Sequence, residues 1–262
     1  MELYDIIIQG GQSNAEGSGI GPVKEKYIPS EDILYLDVEK TVQAPPEGVI
    51  VTYADKPFII RMAEERPWTG GEILGDFSLT FAKRYVESEY LKSGRKLLIV
   101  RAAIGGTGFQ KGNWGVQAPL HKKMLEMTDY ALSLNSNNRV VGFLWHQGEH
   151  DAFEGNTPEN YHNQLFETVK SVRERYGNMP FIAGDFVNEW KTLNIGICEP
   201  IIDVIKQVVR EIGNAGFVEN TNLLSNNQKI GNGDNIHFCR EALYELGERY
   251  FEKYKELINE SF

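Results

Sequence analysis

Two rhythms of apolar residues alternate along the chain. The first is a short run with little polar interruption: Tyr4-Asp5-Ile6-Ile7-Ile8-Gln9, Lys96-Leu97-Leu98-Ile99-Val100-Arg101, Val140-Val141-Gly142-Phe143-Leu144-Trp145, Pro180 to Asp185, and the shorter Gly216-Phe217-Val218. Runs of this kind predict strands covered on both faces, as in a parallel sheet held between helices. The second rhythm repeats every three to four residues. It predicts helices from Phe77 to Val86 with Asp76 as N-cap and Gly94 beyond the end, from Leu120 to Leu134, from Pro158 to about Tyr176 with Gly177 at the close, from Glu199 to Ile212, and from Arg240 to Leu257. Alternating strands and helices put the chain in the α/β class, as a three-layer α/β/α sandwich around a mostly parallel sheet of about five strands.

One stretch departs from this alternation. Ile33-Leu34-Tyr35-Leu36 predicts a short strand off the main sheet, and the β-like segments Val49 to Tyr53 and Phe58-Ile59-Ile60 follow prolines that confine them to edge strands or loop. The expectation is a single domain, 1–262, with an insertion at about 18–71 that forms one wall of a site. A chain of 262 residues, 41% hydrophobic, is long enough to bury one large core. Its net charge of −10 argues against nucleic acid or an anionic membrane as partner. Cys198 and Cys239 lie far apart, so no disulfide scaffold is indicated. Met1-Glu2-Leu3 lacks the basic and apolar regions of a signal peptide, and no apolar run is long enough to span a bilayer. A cytoplasmic protein is expected from the sequence as it stands, with a secreted form whose leader has been removed, and the oligomeric state, left open.

Reactive residues gather where strands end. Gly10-Gly11-Gln12-Ser13-Asn14 follows the first strand, Gly105-Gly106 the second, and Gln147 with Glu149 the third, while Asp234 and His237 precede the last helix. In a parallel sheet the first three turns emerge at one edge, where ligands collect. There Ser13 is placed as a nucleophile, His237 as its general base, and Asp234 as the carboxylate on the other ring nitrogen. The N–H groups of Ser13 and of Gly105 or Gly106, with the Gln147 amide, would form an oxyanion hole. Each has a plainer reading: Ser13 as a turn or N-cap residue, and Asp234 with His237 as capping groups of the closing helix.

Four blocks in this order, Gly11-Gln12-Ser13-Asn14, Gly105-Gly106-Thr107, Trp145-His146-Gln147-Gly148-Glu149 and Asp234-Asn235-Ile236-His237, resemble the SGNH hydrolase superfamily. Within it they are similar to the branch of sialate O-acetylesterases and acetylxylan esterases, the sixth carbohydrate-esterase family. The resemblance covers nearly the whole chain. It implies the flavodoxin-like SGNH fold and hydrolysis of acetyl esters on sugars without metal or cofactor. It also implies the roles just given to Ser13, Asp234 and His237, with an acetylated carbohydrate as the partner. Gln147 stands where the superfamily has asparagine. Gly70-Gly71-Glu72 resembles the branch's Gly-Pro-Glu element with glycine for proline, so Glu72 is given no catalytic role.

Other residues carry alternatives. Glu149 is read as a brace beneath the glycine turns or as a second acid for His237. Gln12, Asn14 and Trp114 are placed on the substrate, Trp145 in the core, His121 and His162 as surface or hydrogen-bonded residues, and Cys239 as a small buried residue. His146-Gln147-Gly148-Glu149-His150 also matches the H-x-x-E-H pattern of zinc metallopeptidases, although a strand end and Gly148 disagree with the regular helix that pattern needs. A sugar-binding protein that keeps the fold without turnover is the remaining alternative.

Overall fold

The computed structural model describes residues 2–24, 30–67 and 73–260. Strand β1 (Leu3–Gly11) leads into a short helix, α1 (Ser13–Glu16). The chain continues with β2 (Ile33–Asp37), β3 (Lys40–Gln43), β4 (Ile50–Tyr53), β5 (Ile59–Met62), β6 (Arg66–Pro67) and β7 (Ile73–Leu74). The alternating part begins with α2 (Phe77–Val86), β8 (Arg95–Arg101), α3 (Pro119–Ser133) and β9 (Arg139–His146). It continues through α4 (Glu149–Phe153), α5 (Pro158–Tyr176), β10 (Phe181–Gly184), α6 (Asn188–Leu193), α7 (Ile195–Ile212), β11 (Ala215–Val218), α8 (Asn226–Ile230) and α9 (Arg240–Asn259).

The main sheet has seven strands in the order β11-β10-β9-β1-β8-β2-β5. All neighbours pair in parallel except β2 with β5, which closes one edge antiparallel. The class and layering follow the expectation, but the strand count does not. The segment Ile33–Leu36, expected off the sheet, instead pairs with Leu97–Val100 of β8. Its side chains are buried, so β2 extends the core while β3 and β4 form a separate hairpin. The helix expected from Glu199 starts earlier, at Ile195, and carries Pro200 inside it.

Side chains alternate across β1. Tyr4 and Ile6 join Met127 and Ala131 of α3 in one cluster, whereas Ile7 belongs with Phe81 of α2 and Tyr254 of α9 in the larger one. At the far end of the strand Asp5 is fully buried and accepts from Arg95 Nε and Arg139 Nε, both at 2.7 Å, and from the Tyr85 hydroxyl at 2.7 Å. Burial alone would raise its carboxyl; the hydrogen bonds from Arg139 and Tyr85 and the charges of both arginines bring it below its ordinary value. The cluster ties β1 to both neighbouring strands and to α2. Among the described residues no helix is long and apolar enough to cross a membrane.

Two predictions follow from this packing. Gly247 of α9 lies against α2: an added Cβ would stand 2.1 Å from the Phe77 carbonyl oxygen. Gly247→Ala is therefore expected to lower stability by roughly 1–3 kcal/mol, read from the urea midpoint, and an unchanged midpoint would show that the helices have room. His146, fully buried beside the Tyr250 hydroxyl at 3.1 Å, is pulled down to about 3 by burial. An unfolded histidine protonates near pH 6.5. Between these two values the unfolded chain holds the extra proton, so this residue's contribution falls as pH falls, by on the order of 5 kcal/mol in all. Glu149, raised by burial, acts with the opposite sign. The measurement is thus wild type against His146→Gln across that range, and parallel stability curves would refute a buried neutral imidazole.

Candidate active site

Strands β8, β1 and β9 run parallel, so their carboxyl ends share one edge. At the end of β1 the chain comes so close to β9 that a Cβ on Gly11, at φ 129°, would sit 2.2 Å from the His146 carbonyl oxygen. The Gln12 N–H donates to that same oxygen at 2.9 Å. This crossing delivers Ser13 as the first residue of α1, with its hydroxyl turned away from any capping role. Ser13 Oγ lies 2.9 Å from His237 Nε2, across 224 residues of sequence. The other ring nitrogen, Nδ1, lies 2.9 and 3.0 Å from the two oxygens of Asp234. The N-cap of α9 is Cys239, so Asp234 and His237 do not cap that helix.

Asp234 is held by more than the imidazole. Asn226 Nδ2 donates to its Oδ2 at 2.8 Å, and the His237 N–H to its Oδ1 at 3.3 Å. Burial opposes ionisation of this carboxyl, but the hydrogen bond and charge of His237, with the Asn226 amide, bring it below its ordinary range. The carboxylate is thus an anion placed to stabilise an imidazolium.

Asn14 has a different place from the one expected. It is fully buried and presents nothing to a substrate. Its Nδ2 donates to the Ile236 carbonyl at 3.1 Å and its Oδ1 accepts from the Phe238 N–H at 3.1 Å, so it grips the backbone on both sides of His237. The same Nδ2 donates to Glu149 Oε1 at 2.9 Å. Glu149 is itself buried, with its carboxyl raised by that burial. Its geometry is that of a brace beneath Asn14, while Asp234 occupies His237 Nδ1.

The expected oxyanion donors divide. Ser13 N–H, at the first position of α1, needs no partner within the helix. The Gly105 N–H is taken by Glu16 Oε2 at 2.9 Å. Gly106, at φ 70°, has an N–H that meets no acceptor among the described residues. Gln147 is turned away: its Nε2 lies 2.5 Å from Asp151 Oδ2, its Oε1 accepts from the Tyr161 hydroxyl at 3.0 Å, and the residue is fully buried. Gln12 lines the cleft, with its Oε1 accepting from the His150 N–H at 3.1 Å and Gln147 Nε2 at 3.3 Å. Trp114 offers no sugar-stacking face, since it is 2% exposed, packs edge-on to Trp145 and donates to Thr107 Oγ1 at 3.0 Å.

Support beneath α1 is absent from the sequence reading. Arg101, buried at the end of β8, donates to the Glu16 carbonyl at 2.6 Å, and Gln9 donates to the Ala15 carbonyl and, at 3.0 Å, to Asp76 Oδ1. Asp76 caps α2 through the Ser78 N–H as expected and also accepts from the Tyr35 hydroxyl at 2.8 Å. None of these residues belongs to a motif; only the paired strand ends bring them together.

The cleft above holds about 840 Å³ and is bordered by Val42, Arg66, Phe153 and Trp190 as well as the residues already named. Arg66 and Glu16 form an ion pair at 3.4 Å on its wall. His146 and His150 do not make a zinc pair: α4 starts only at Glu149, His146 engages Tyr250 from the end of β9, and His150 faces Glu154 at 3.8 Å. Among the described residues no group of three or more His, Cys, Asp or Glu side chains is arranged to hold a metal ion. His162 pairs with Glu211 at 2.7 Å, but His121, expected to be exposed or hydrogen-bonded, is buried with neither ring nitrogen bonded among the described residues. Glu72 lies outside the described residues.

A family model described as carbohydrate esterase, sialic acid-specific acetylesterase matches residues 3–256. A curated Escherichia coli (strain K12) protein, described as a probable 9-O-acetyl-N-acetylneuraminic acid deacetylase, is 22% identical over 127 residues. That match spans 39% of this chain and 39% of the length of the relative. The crystal structure of NanS is similar with a TM-score of 0.76 and 18% identity, over 99% of this chain and 98% of that one. A protein from Arabidopsis thaliana gives 0.69 and 20%, over 96% and 98%. At these identities the structural likeness establishes the fold, which is that of the SGNH-like esterases. With the model covering almost the whole chain, the protein belongs to the carbohydrate esterase family of sialic acid-specific acetylesterases.

Proposed function

We propose that the chain is a serine esterase that removes acetyl groups from sugar hydroxyls, with O-acetylated sialic acids as the substrate class. The observation that carries the reading is the unbroken relay from Ser13 Oγ to His237 Nε2 and from His237 Nδ1 to Asp234. The family and the description of the Escherichia coli relative support the sugar.

Ser13 Oγ attacks the acetyl carbonyl while its proton passes to His237 Nε2. Asp234 keeps Nδ1 protonated and stabilises the imidazolium. The carbonyl oxygen takes negative charge, which the N–H groups of Ser13 and Gly106 are placed to receive. His237 then returns the proton to the departing sugar oxygen, leaving an acetyl-serine. Water activated by the same histidine releases acetate and restores the hydroxyl. The neighbouring Asn14 clamp keeps the imidazole in register, since two of its three bonds are to backbone beside His237.

Acetate release from O-acetylated sialosides, set beside release from acetylated xylan oligomers, tests the substrate class; faster turnover of the xylan oligomers would reassign it. Ser13→Ala is expected to cut kcat on p-nitrophenyl acetate on the order of 10⁴-fold or more with the fold intact. A variant as fast as wild type would remove Ser13 from the chemistry. Asp234→Asn is expected to lower kcat by roughly 10³–10⁴-fold, and Glu149→Gln by much less. The reverse order would transfer the orienting role to Glu149.

A further inference from the structure

We propose that the Gln12 carboxamide is the side-chain donor of the oxyanion hole, in the place the family resemblance gives to Gln147. The assignment rests on the serine-esterase reading and adds a catalytic residue to it.

The orientation of two amides decides the matter. Asp151 is a buried carboxylate fixed by the backbone N–H groups of Phe109 at 3.0 Å and Gln110 at 2.8 Å, and by Asn156 Nδ2 at 2.8 Å. A carboxylate can only accept, so the Gln147 atom 2.5 Å from it must be the NH₂ group. That group also faces the Thr107 carbonyl at 3.3 Å, and Gln147 Oε1 receives the Tyr161 hydroxyl, so both ends of the Gln147 amide are used inside the protein. Its Nε2 in turn donates to Gln12 Oε1 at 3.3 Å. The His150 backbone N–H, which can only donate, points at the same Gln12 oxygen from 3.1 Å. A flipped Gln12 would set its NH₂ against two donors, which the geometry forbids. The Gln12 NH₂ is therefore the end left toward the cleft, and it bonds to no protein acceptor among the described residues.

The cleft it faces is the one lined by Ser13, Gly106 and His237. Gln12 directly precedes Ser13, and its backbone is pinned by the bond from its N–H to the His146 carbonyl. A neutral donor fixed before the reaction suits the chemistry. When the Ser13 Oγ–C bond forms, the carbonyl π electrons move onto oxygen and the serine proton moves to His237. The Gln12 N–H gives a hydrogen bond to that oxyanion without transferring its proton. Collapse of the oxyanion breaks the C–O bond to the sugar, and the proton on His237 leaves with the sugar oxygen. Gln147 then acts through Gln12 as a positioning residue, with Asp151 setting its direction.

The test uses p-nitrophenyl acetate, a neutral ester, with kcat, KM and Tm measured for Gln12→Glu, Gln12→Met and Gln147→Met. Gln12→Glu keeps an oxygen for the His150 N–H and the Gln147 amide but loses the donor. Gln12→Met loses both without adding charge. Both are expected to lower kcat by about 10²–10³-fold with KM within about threefold, and Gln12→Glu is expected to keep the wild-type Tm. Gln147→Met is expected to cost less in kcat than Gln12→Met. Near-wild-type kcat in either Gln12 variant, or a larger loss for Gln147→Met, would overturn the assignment. A role limited to holding the His150 N–H predicts an active Gln12→Glu. Wild-type turnover that does not depend on Ser13 would instead end the serine-esterase reading, and this assignment with it.

Discussion

Parallel pairing of β1 with both β8 and β9 is the constraint from which the site follows. Parallel neighbours all end on the same side, so the turns after these strands are obliged to share one edge of the sheet. The tight crossing at Gly11 then fixes Ser13 against the end of β9. What remains is to bring in a histidine from the other end of the chain. Asn14 does this by bonding to the backbone on both sides of His237, so the residue next to the nucleophile holds the base.

That arrangement makes the polar interior unusually consequential. Asn14 with Glu149, and Gln147 with Gln12 and Asp151, form two sets of hydrogen bonds under the cleft, all at least 97% buried from solvent by residue, as the 3% exposure of Gln12 is the highest among them. Buried polar groups of this kind are costly when a partner is missing. Their value here is direction: each amide has one orientation because a carboxylate or a backbone N–H at its far end admits no other. On the β8 side Arg101 and Gln9 do the same for the carbonyls of α1.

Much of this was legible in the sequence for a physical reason. Apolar runs with little polar interruption at Tyr4–Gln9, Lys96–Arg101 and Val140–Trp145 read as doubly covered strands, and once they are parallel the turns after them must converge. Ser13, Asp234 and His237 were accessible by that route and by the order of the blocks. Residues whose direction is set by contacts across the fold were not. Gln147 and Asn14 look like substrate-facing amides until their partners are seen, and Trp114 looks like a stacking surface until Trp145 is found against it. The strand at Ile33–Asp37 was misplaced because its surroundings are rich in proline and polar residues, whereas its own burial against β8 decides its position.

The two walls of the cleft have different origins in the chain. The candidate chemical groups come from the ends of β1, β8 and β9 and from the loop before α9, while Val42 and Arg66, which also line the cleft, come from the stretch between β1 and α2. That stretch reaches the core through β2 but raises β3 and β4 as a hairpin of their own. The rim at Val42 can therefore change shape while the hydrogen bonds that join Ser13, His237 and Asp234 stay as they are.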